Sequence, residues 1–515
     1  MPAYFLLLLT VLAGTTAAQT LPRTADSKPD LQGIWQAVNR ASYNLEPHVA
    51  RHDMPAGLGV VEGGSIPYQP WASEQARMNF ANRETADPLA SCYLPGVPRI
   101  MTMEFPFHIF QTPEYVAITF EWQQVYRLIH VSDEPAMYEG IESWMGHSRA
   151  RWEDDVLVVT VADQNDRTWL DASGNFHSNA LRVTERYRLL DADTIDYEAT
   201  LEDPGVFTRP WTMRLTLKRQ THLDRILEFQ CQAEHEEATG DFERDINTWY
   251  PAAVPAANER FDADAGAELP LPPTPPGIPR HDDGTPDISG FYMADAGGAN
   301  YGLQAHPGNE LLPRSRGQII DPTDGSLPYQ AWARAERIDR ELPHRGYDDP
   351  TAHCFVAGVP RSHYVPAPFF ILQPPGYIVI LHERMSWRQI RLNSLHVLPD
   401  HMRLWQGDSI GHWEGDTLVV ESRNFNGKAW LNEVGDVVSH AQAVIETLTP
   451  VSPTQLNYRA TVSDPIAYTR PWTIEMPFNR QDQELLEVAC LEDNNDLEHL
   501  RDVRDEYRAR QNQRN

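Results

Sequence analysis

The chain repeats itself, and the repeat sets what it can fold into. Segments of the first half return in the same order in the second, roughly one domain length later. Gly64-Ser-Ile-Pro-Tyr-Gln-Pro-Trp71 comes back as Gly325-Ser-Leu-Pro-Tyr-Gln-Ala-Trp332. Asp87-Pro88, Cys92 and Gly96-Val-Pro-Arg99 recur as Asp349-Pro350, Cys354 and Gly358-Val-Pro-Arg361. Glu121 matches Glu383, Trp152–Val159 matches Trp413–Val420, and Trp169-Leu170 matches Trp430-Leu431. His177 pairs with His440 and Glu185 with Glu446, and Thr208-Arg-Pro-Trp-Thr212 returns as Thr469-Arg-Pro-Trp-Thr473. A spacing this long marks a duplicated domain, not the short unit of a solenoid.

The boundaries follow from composition. Residues 1–18 read as a signal peptide: an apolar run from Phe5 too short to span a bilayer, then small residues up to Ala18. No Lys or Arg precedes that run, which departs from the usual pattern. The first copy is expected over 28–250, a Pro-rich spacer over 251–284, the second copy over 285–500 and a charged tail over 501–515. Within each copy, alternating or β-branched runs such as 155–161, 181–188 and 194–201 predict strands separated by polar turns. The expected fold is mainly β: two tandem antiparallel β-barrels with little helix, the best helical stretches being 68–82 and 329–342.

Four cysteines fall into two equivalent pairs, Cys92 with Cys231 and Cys354 with Cys490. An oxidising compartment makes one disulfide per copy the natural reading, worth about 2–4 kcal/mol each in the chain-entropy picture. A periplasmic or secreted location is therefore expected. The net charge of −30 disfavours nucleic acid and anionic membrane surfaces as partners. Nearly all positive charge is arginine, since Lys28, Lys218 and Lys428 are the only lysines.

Each copy opens with Gly-x-aromatic, Gly33-Ile-Trp35 and Gly290-Phe-Tyr292. The first resembles the opening of lipocalin-like barrels, and two such barrels in tandem are similar in architecture to carotenoid hydratase and AttH-like proteins. The stretch from Trp405 to Val420, with Tyr468-Thr-Arg-Pro-Trp-Thr473, resembles a widespread family of exported, uncharacterised bacterial proteins. That resemblance implies secretion and β-structure and lends no reaction.

Four polar positions recur in both copies: Arg99/Arg361, Glu121/Glu383, His177/His440 and Glu185/Glu446. A His beside a carboxylate in a barrel mouth moves protons near neutral pH, and an Arg holds an anion; a shared folding role explains the recurrence equally well. The copies differ where Gly146-His147-Ser148 faces Gly407-Asp408-Ser409, and histidines crowd the second copy, which favours that copy as the active one. The catalytic candidates are His382, Glu383, Asp408 and His440. Arg361, Trp387, Trp405 and Trp430 are candidate substrate contacts. Ser409 sits in a Gly-rich turn and there is no Gly-x-Ser-x-Gly elbow. HExxH, EF-hand, Walker and dinucleotide motifs are missing too, so neither a metal nor a cofactor is expected. The expectation is a small apolar or aromatic ligand in a barrel cavity, with cofactor-independent acid–base chemistry of a hydratase, isomerase or cyclase type. A non-catalytic carrier and a carbohydrate-binding or structural module are the alternatives.

Overall fold

The computed structural model describes residues 21–135, 137–233, 269–309, 312–492 and 494–513. The segment read as a signal peptide and most of the Pro-rich spacer lie outside them. Each copy is a closed barrel. The first is built from β1 (Gly33–Ala37), β2 (Phe107–Gln111), β3 (Tyr115–Phe120), β4 (Tyr126–Val131) and β5 (His147–Glu153). It continues through β6 (Val156–Ala162), β7 (Arg182–Asp191), β8 (Thr194–Glu202) and β9 (Trp211–Arg219). The second runs through β10 (Gly290–Ala294), β11 (Ile319–Asp321), β12 (Phe369–Leu372), β13 (Tyr377–His382), β14 (Ser386–Leu392) and β15 (Asp408–Glu414). Its remaining strands are β16 (Thr417–Arg423), β17 (Ala443–Ser452), β18 (Gln455–Ser463) and β19 (Trp472–Arg480).

One feature departs from a pure antiparallel meander. β4 pairs with β5 in parallel, as β14 does with β15. Geometry demands it: with β1 antiparallel to both β2 and β9, a nine-strand ring closes only if one of its pairs is parallel. The helices fall where expected, at Pro70–Ala86 and Ala331–Arg340. Part of the charged tail belongs to a helix, Asn495–Asn512, which lays Arg504 over Tyr347.

The Gly-x-aromatic openings set a buried ring beneath an arginine in each barrel. Gly33 has φ +141°, and a Cβ there would strike Arg219, whose guanidinium stacks 4.3 Å from the Trp35 ring. Arg480 covers Tyr292 in the same way at 5.5 Å. Both disulfides are formed, Cys92–Cys231 and Cys354–Cys490.

The barrels pack against each other through β2–β4 and β12–β14, and strand periodicity explains how. Along β13, Ile378 and Ile380 point into the barrel core, whereas Val379 and Leu381 join Phe110, Ala117, Tyr126, Phe370 and Trp387 in a separate apolar cluster between the barrels. The seam is pseudo-twofold. Tyr126 Oη donates to the carbonyl of His382 (3.0 Å), and Trp387 Nε1 donates to the carbonyl of Phe120 (2.9 Å), which occupies the equivalent position.

The segment after each last strand then crosses the seam as a strap. Glu228 of the first copy accepts from the backbone N–H groups of Trp405 (2.6 Å) and Gln406 (3.1 Å). Glu487 of the second copy does the same for Trp144 (2.7 Å) and Met145 (2.9 Å). Each strap returns to its own barrel through its disulfide.

Burial pushes both strap carboxyls up to about 7. A folded-state value above the unfolded one means that the native protein holds these protons longer. Their contribution is then present below the unfolded carboxyl range and is lost as pH rises through 7. Thermal melts from pH 5 to 8 are expected to fall by several degrees in the wild type. The slope is expected to flatten in the Glu228→Gln/Glu487→Gln variant.

Candidate functional site

A buried ion pair joins facing strands inside each barrel. Arg127 Nη2 meets Glu185 Oε2 at 2.5 Å, and Tyr187 and Tyr197 donate to Glu185 Oε1 at 2.9 and 2.8 Å. In the second barrel Arg388 grips Glu446, which also accepts from Tyr458 at 2.8 Å. Arginine suits this position because its planar fork satisfies both carboxylate oxygens away from water. A pair present in both barrels serves folding.

The second barrel adds three polar residues to this pair. His363 Nε2 lies 3.3 Å from Glu446 Oε1 and 3.0 Å from Arg388 Nη1. His382 Nε2 lies 3.5 Å from His363 Nδ1, and Ser386 Oγ lies 3.4 Å from His382 Nδ1. These contacts form a line from the barrel rim to its heart. Strand register and the flanking Gly-Val-Pro-Arg motifs equate His382, Ser386 and His363 with Phe120, Val125 and Met101 of the first copy, all buried and apolar. Burial, with Arg388 beside His363 and both His363 and Arg388 beside His382, holds the two imidazoles below their ordinary range, His382 well below. Both rings are neutral at physiological pH. His363 Nε2 sits between a donor and an acceptor, so the chain of protons can run in either direction.

The line opens into a cleft of about 210 Å³ on the seam. Part of its lining obeys the pseudo-twofold: Cys92 with Cys354, Tyr93 with Phe355, and Leu94 with Val356. The rest does not. The first copy's strap supplies Gln230 and Gln232 where the second supplies Ala489 and Leu491. The first barrel's rim contributes Gln123 alone, whereas the second adds Ser362, His382, Arg384, Met385 and Ser386. Gln230 Nε2, Gln232 Oε1 and Ser362 Oγ are buried and carry no hydrogen bond. Three orphaned polar atoms around one space suit a ligand that supplies both an acceptor and a donor. Tyr93, Phe355, Val365 and Met385 give the same space apolar walls.

The predicted site residues do not all converge. His382 is in the cleft. Arg361 lines it, but its guanidinium is committed to Asp349 (2.9 and 2.8 Å), with Nε on Asn300 at 3.1 Å. Arg99 holds Asp87 in the same way, so the recurring Asp-Pro and Arg are partners in a fold element. Glu383 turns to its own strap, as Glu121 does when it accepts from Leu227 N at 2.8 Å. Asp408 is buried in a knot with Arg225 (2.5 Å), Arg391 (3.0 Å) and His396 (3.3 Å). Burial would raise its carboxyl, yet the arginines hold it below the ordinary range, so it is no proton donor.

His440 lies outside the cleft lining, half-buried, and is not the counterpart of His177. Ser178 and Ser439 both donate from their backbone N–H to the recurring Asp203 and Asp464, which aligns His177 with Val438. Trp387 belongs to the seam and Trp430 to the core beneath Arg340. Trp405 stacks on Phe355 at 5.0 Å, behind the cleft wall. Ser409 is enclosed with Arg388 and Ser422. Sequence reasoning missed His363, Ser386, Gln230 and Gln232. The available signal was a polar residue in one copy facing an apolar one in the other.

No protein-family profile matches the chain, and no curated protein matches it. Among the described residues no group of three or more His, Cys, Asp or Glu is arranged to hold a metal ion, and no helix is long and apolar enough to cross a membrane. The two disulfides are consistent with a location outside the cytoplasm.

Breaking a buried pair strands its partner charge. Arg361→Met and Arg99→Met are each expected to destabilise the protein by about 3–5 kcal/mol in chemical denaturation. A loss confined to ligand affinity in Arg361→Met, with stability intact, would restore that residue to substrate binding.

Proposed function

We propose that this is an exported protein whose seam cleft binds a small, largely apolar or aromatic molecule bearing a hydrogen-bonding group, and that His382 moves protons on it without a cofactor. The observation that carries the reading is the placement of His382 and His363. They replace Phe120 and Met101 of a sibling copy that folds without them, and they connect a cleft to a buried carboxylate. Burying two neutral imidazoles where apolar side chains suffice sacrifices stability, and proton transfer is the chemistry that two linked rings add. Their position in the second copy supports a single site per chain. Export fits the apolar leader-like start, the paired cysteines and the resemblance to exported β-proteins. The reaction class is that of a hydratase, isomerase or cyclase.

The test uses the sibling copy as its control. His382→Phe/His363→Met installs side chains already accommodated in an equivalent barrel, so the variant is expected to fold and melt no lower than the wild type. In D2O, the wild type is expected to catalyse deuterium exchange into bound enolisable aromatic or terpenoid ketones, read by mass spectrometry, and the variant to lose this activity. Because the ring must be neutral to accept a proton and its basicity is depressed, the acid limb of the wild-type profile is expected well below pH 6.5. Binding without exchange in the wild type would make the protein a carrier.

A further inference from the structure

We propose that Ser386 is a nucleophile, activated through His382, His363 and Glu446, and that the cleft hydrolyses a small carboxylic ester. This rests on the reading of His382 as the group that moves protons and adds a covalent step at the same site.

The argument is geometric. A serine hydroxyl is a weak nucleophile until a neutral base removes its proton, and that base works best when a further group orients it. Ser386 Oγ has His382 Nδ1 at 3.4 Å as its hydrogen-bond partner. His382 Nε2 faces His363 Nδ1 at 3.5 Å, and His363 Nε2 faces Glu446 Oε1 at 3.3 Å. In the tautomer that donates His363 Nε2–H to Glu446, rather than the one that accepts from Arg388 Nη1 at 3.0 Å, the order hydroxyl, imidazole, imidazole, carboxylate places an acceptor at each step inward. These separations leave room to tighten when substrate excludes water, as catalytic hydrogen bonds do.

The local backbone places the side chain. Ser386 follows Met385, a non-glycine residue held at φ +45° at the tight turn between β13 and β14. Gln123 and Gln124 take the same conformation (φ +51° and +52°) in the matching turn of the first copy, so the turn belongs to the fold and the serine to the second copy alone. A strained turn of this kind presents the next side chain at the rim, where Ser386 lines the cleft. Arg384, two residues earlier, lines the same cleft and is exposed; it acts at longer range on the carboxylates of Glu383 and Glu433. Its guanidinium is available to the negative charge that develops on a carbonyl oxygen. All three residues of the relay that the first copy lacks are replaced there together, by Val125, Phe120 and Met101. A lone proton-transfer histidine would not require the serine.

The step balances as follows. Ser386 Oγ bonds to the ester carbonyl carbon while its proton passes to His382 Nδ1. The ester C–O bond breaks, and His382 returns that proton to the departing alkoxide, which leaves as an alcohol. Water then attacks the acyl-enzyme and gives a proton to His382, and Ser386 Oγ takes it back as the carboxylic acid leaves. Water is the sole co-reactant.

The experiment is intact-mass and peptide-mass analysis of the full-length protein after treatment with an aryl-bearing fluorophosphonate. This probe forms an O–P bond with an activated serine and expels fluoride. One adduct per chain is expected, located on Ser386. It should be absent in Ser386→Ala and slowed at least tenfold in His382→Phe/His363→Met. Hydrolysis of a p-nitrophenyl ester of a small aromatic acid should follow the same pattern. No adduct, or an adduct on another residue, overturns the nucleophile. If the wild type and Ser386→Ala then exchange deuterium equally, the acid–base reading survives alone. If the wild type neither labels nor exchanges, both fail.

Discussion

Two carboxylates gripping the wrong barrel hold this molecule in its shape. Glu228 and Glu487 each leave their own domain to cap a pair of backbone N–H groups in the other, while a disulfide returns each strap home. The arrangement is an isologous dimer interface written into one chain. The apolar cluster between the barrels supplies non-directional burial, but the exchanged hydrogen bonds set the register. Because the straps wall the cleft on both sides, the cleft exists only while the seam is closed.

The site can be read as a ledger of differences between two solutions to one folding problem. The Arg127–Glu185 and Arg388–Glu446 pairs, the Asp–Arg pairs and the strap-holding Glu121 and Glu383 occur twice and support the barrel twice. What the second copy adds is polar, buried and connected to a space. A protein core tolerates such groups only when their hydrogen bonds are met. Here the first copy shows which apolar residues would have served instead.

Much of the fold was legible in the sequence because its signals are local or paired. Duplicated motifs, period-two strands and two equally spaced cysteine pairs each constrain the chain without knowledge of the whole. The parallel β4–β5 pair escaped because it depends on closing a ring, which no single segment records. The candidate site was half legible. His382 and Glu383 stand out as neighbours and Asp408 as a difference between the copies, yet Glu383 and Asp408 both face partners brought by the straps. His440 was chosen through a two-residue slip, which the Asp464 contact with Ser439 corrects. Gln230 and Gln232 show only when the two straps are compared, where they stand opposite Ala489 and Leu491.

The cleft's position on a broken twofold has a consequence for whatever occupies it. A ligand sitting on a true axis has two equivalent poses, and nothing in such a site can tell one end of it from the other. Here one wall offers amides from Gln230 and Gln232, and the facing positions offer Ala489 and Leu491. Duplication within one chain let each wall diverge separately, whereas any substitution in a homodimer is made on both sides at once. The occupant is thereby given a direction, and only one of its ends meets the second barrel's rim.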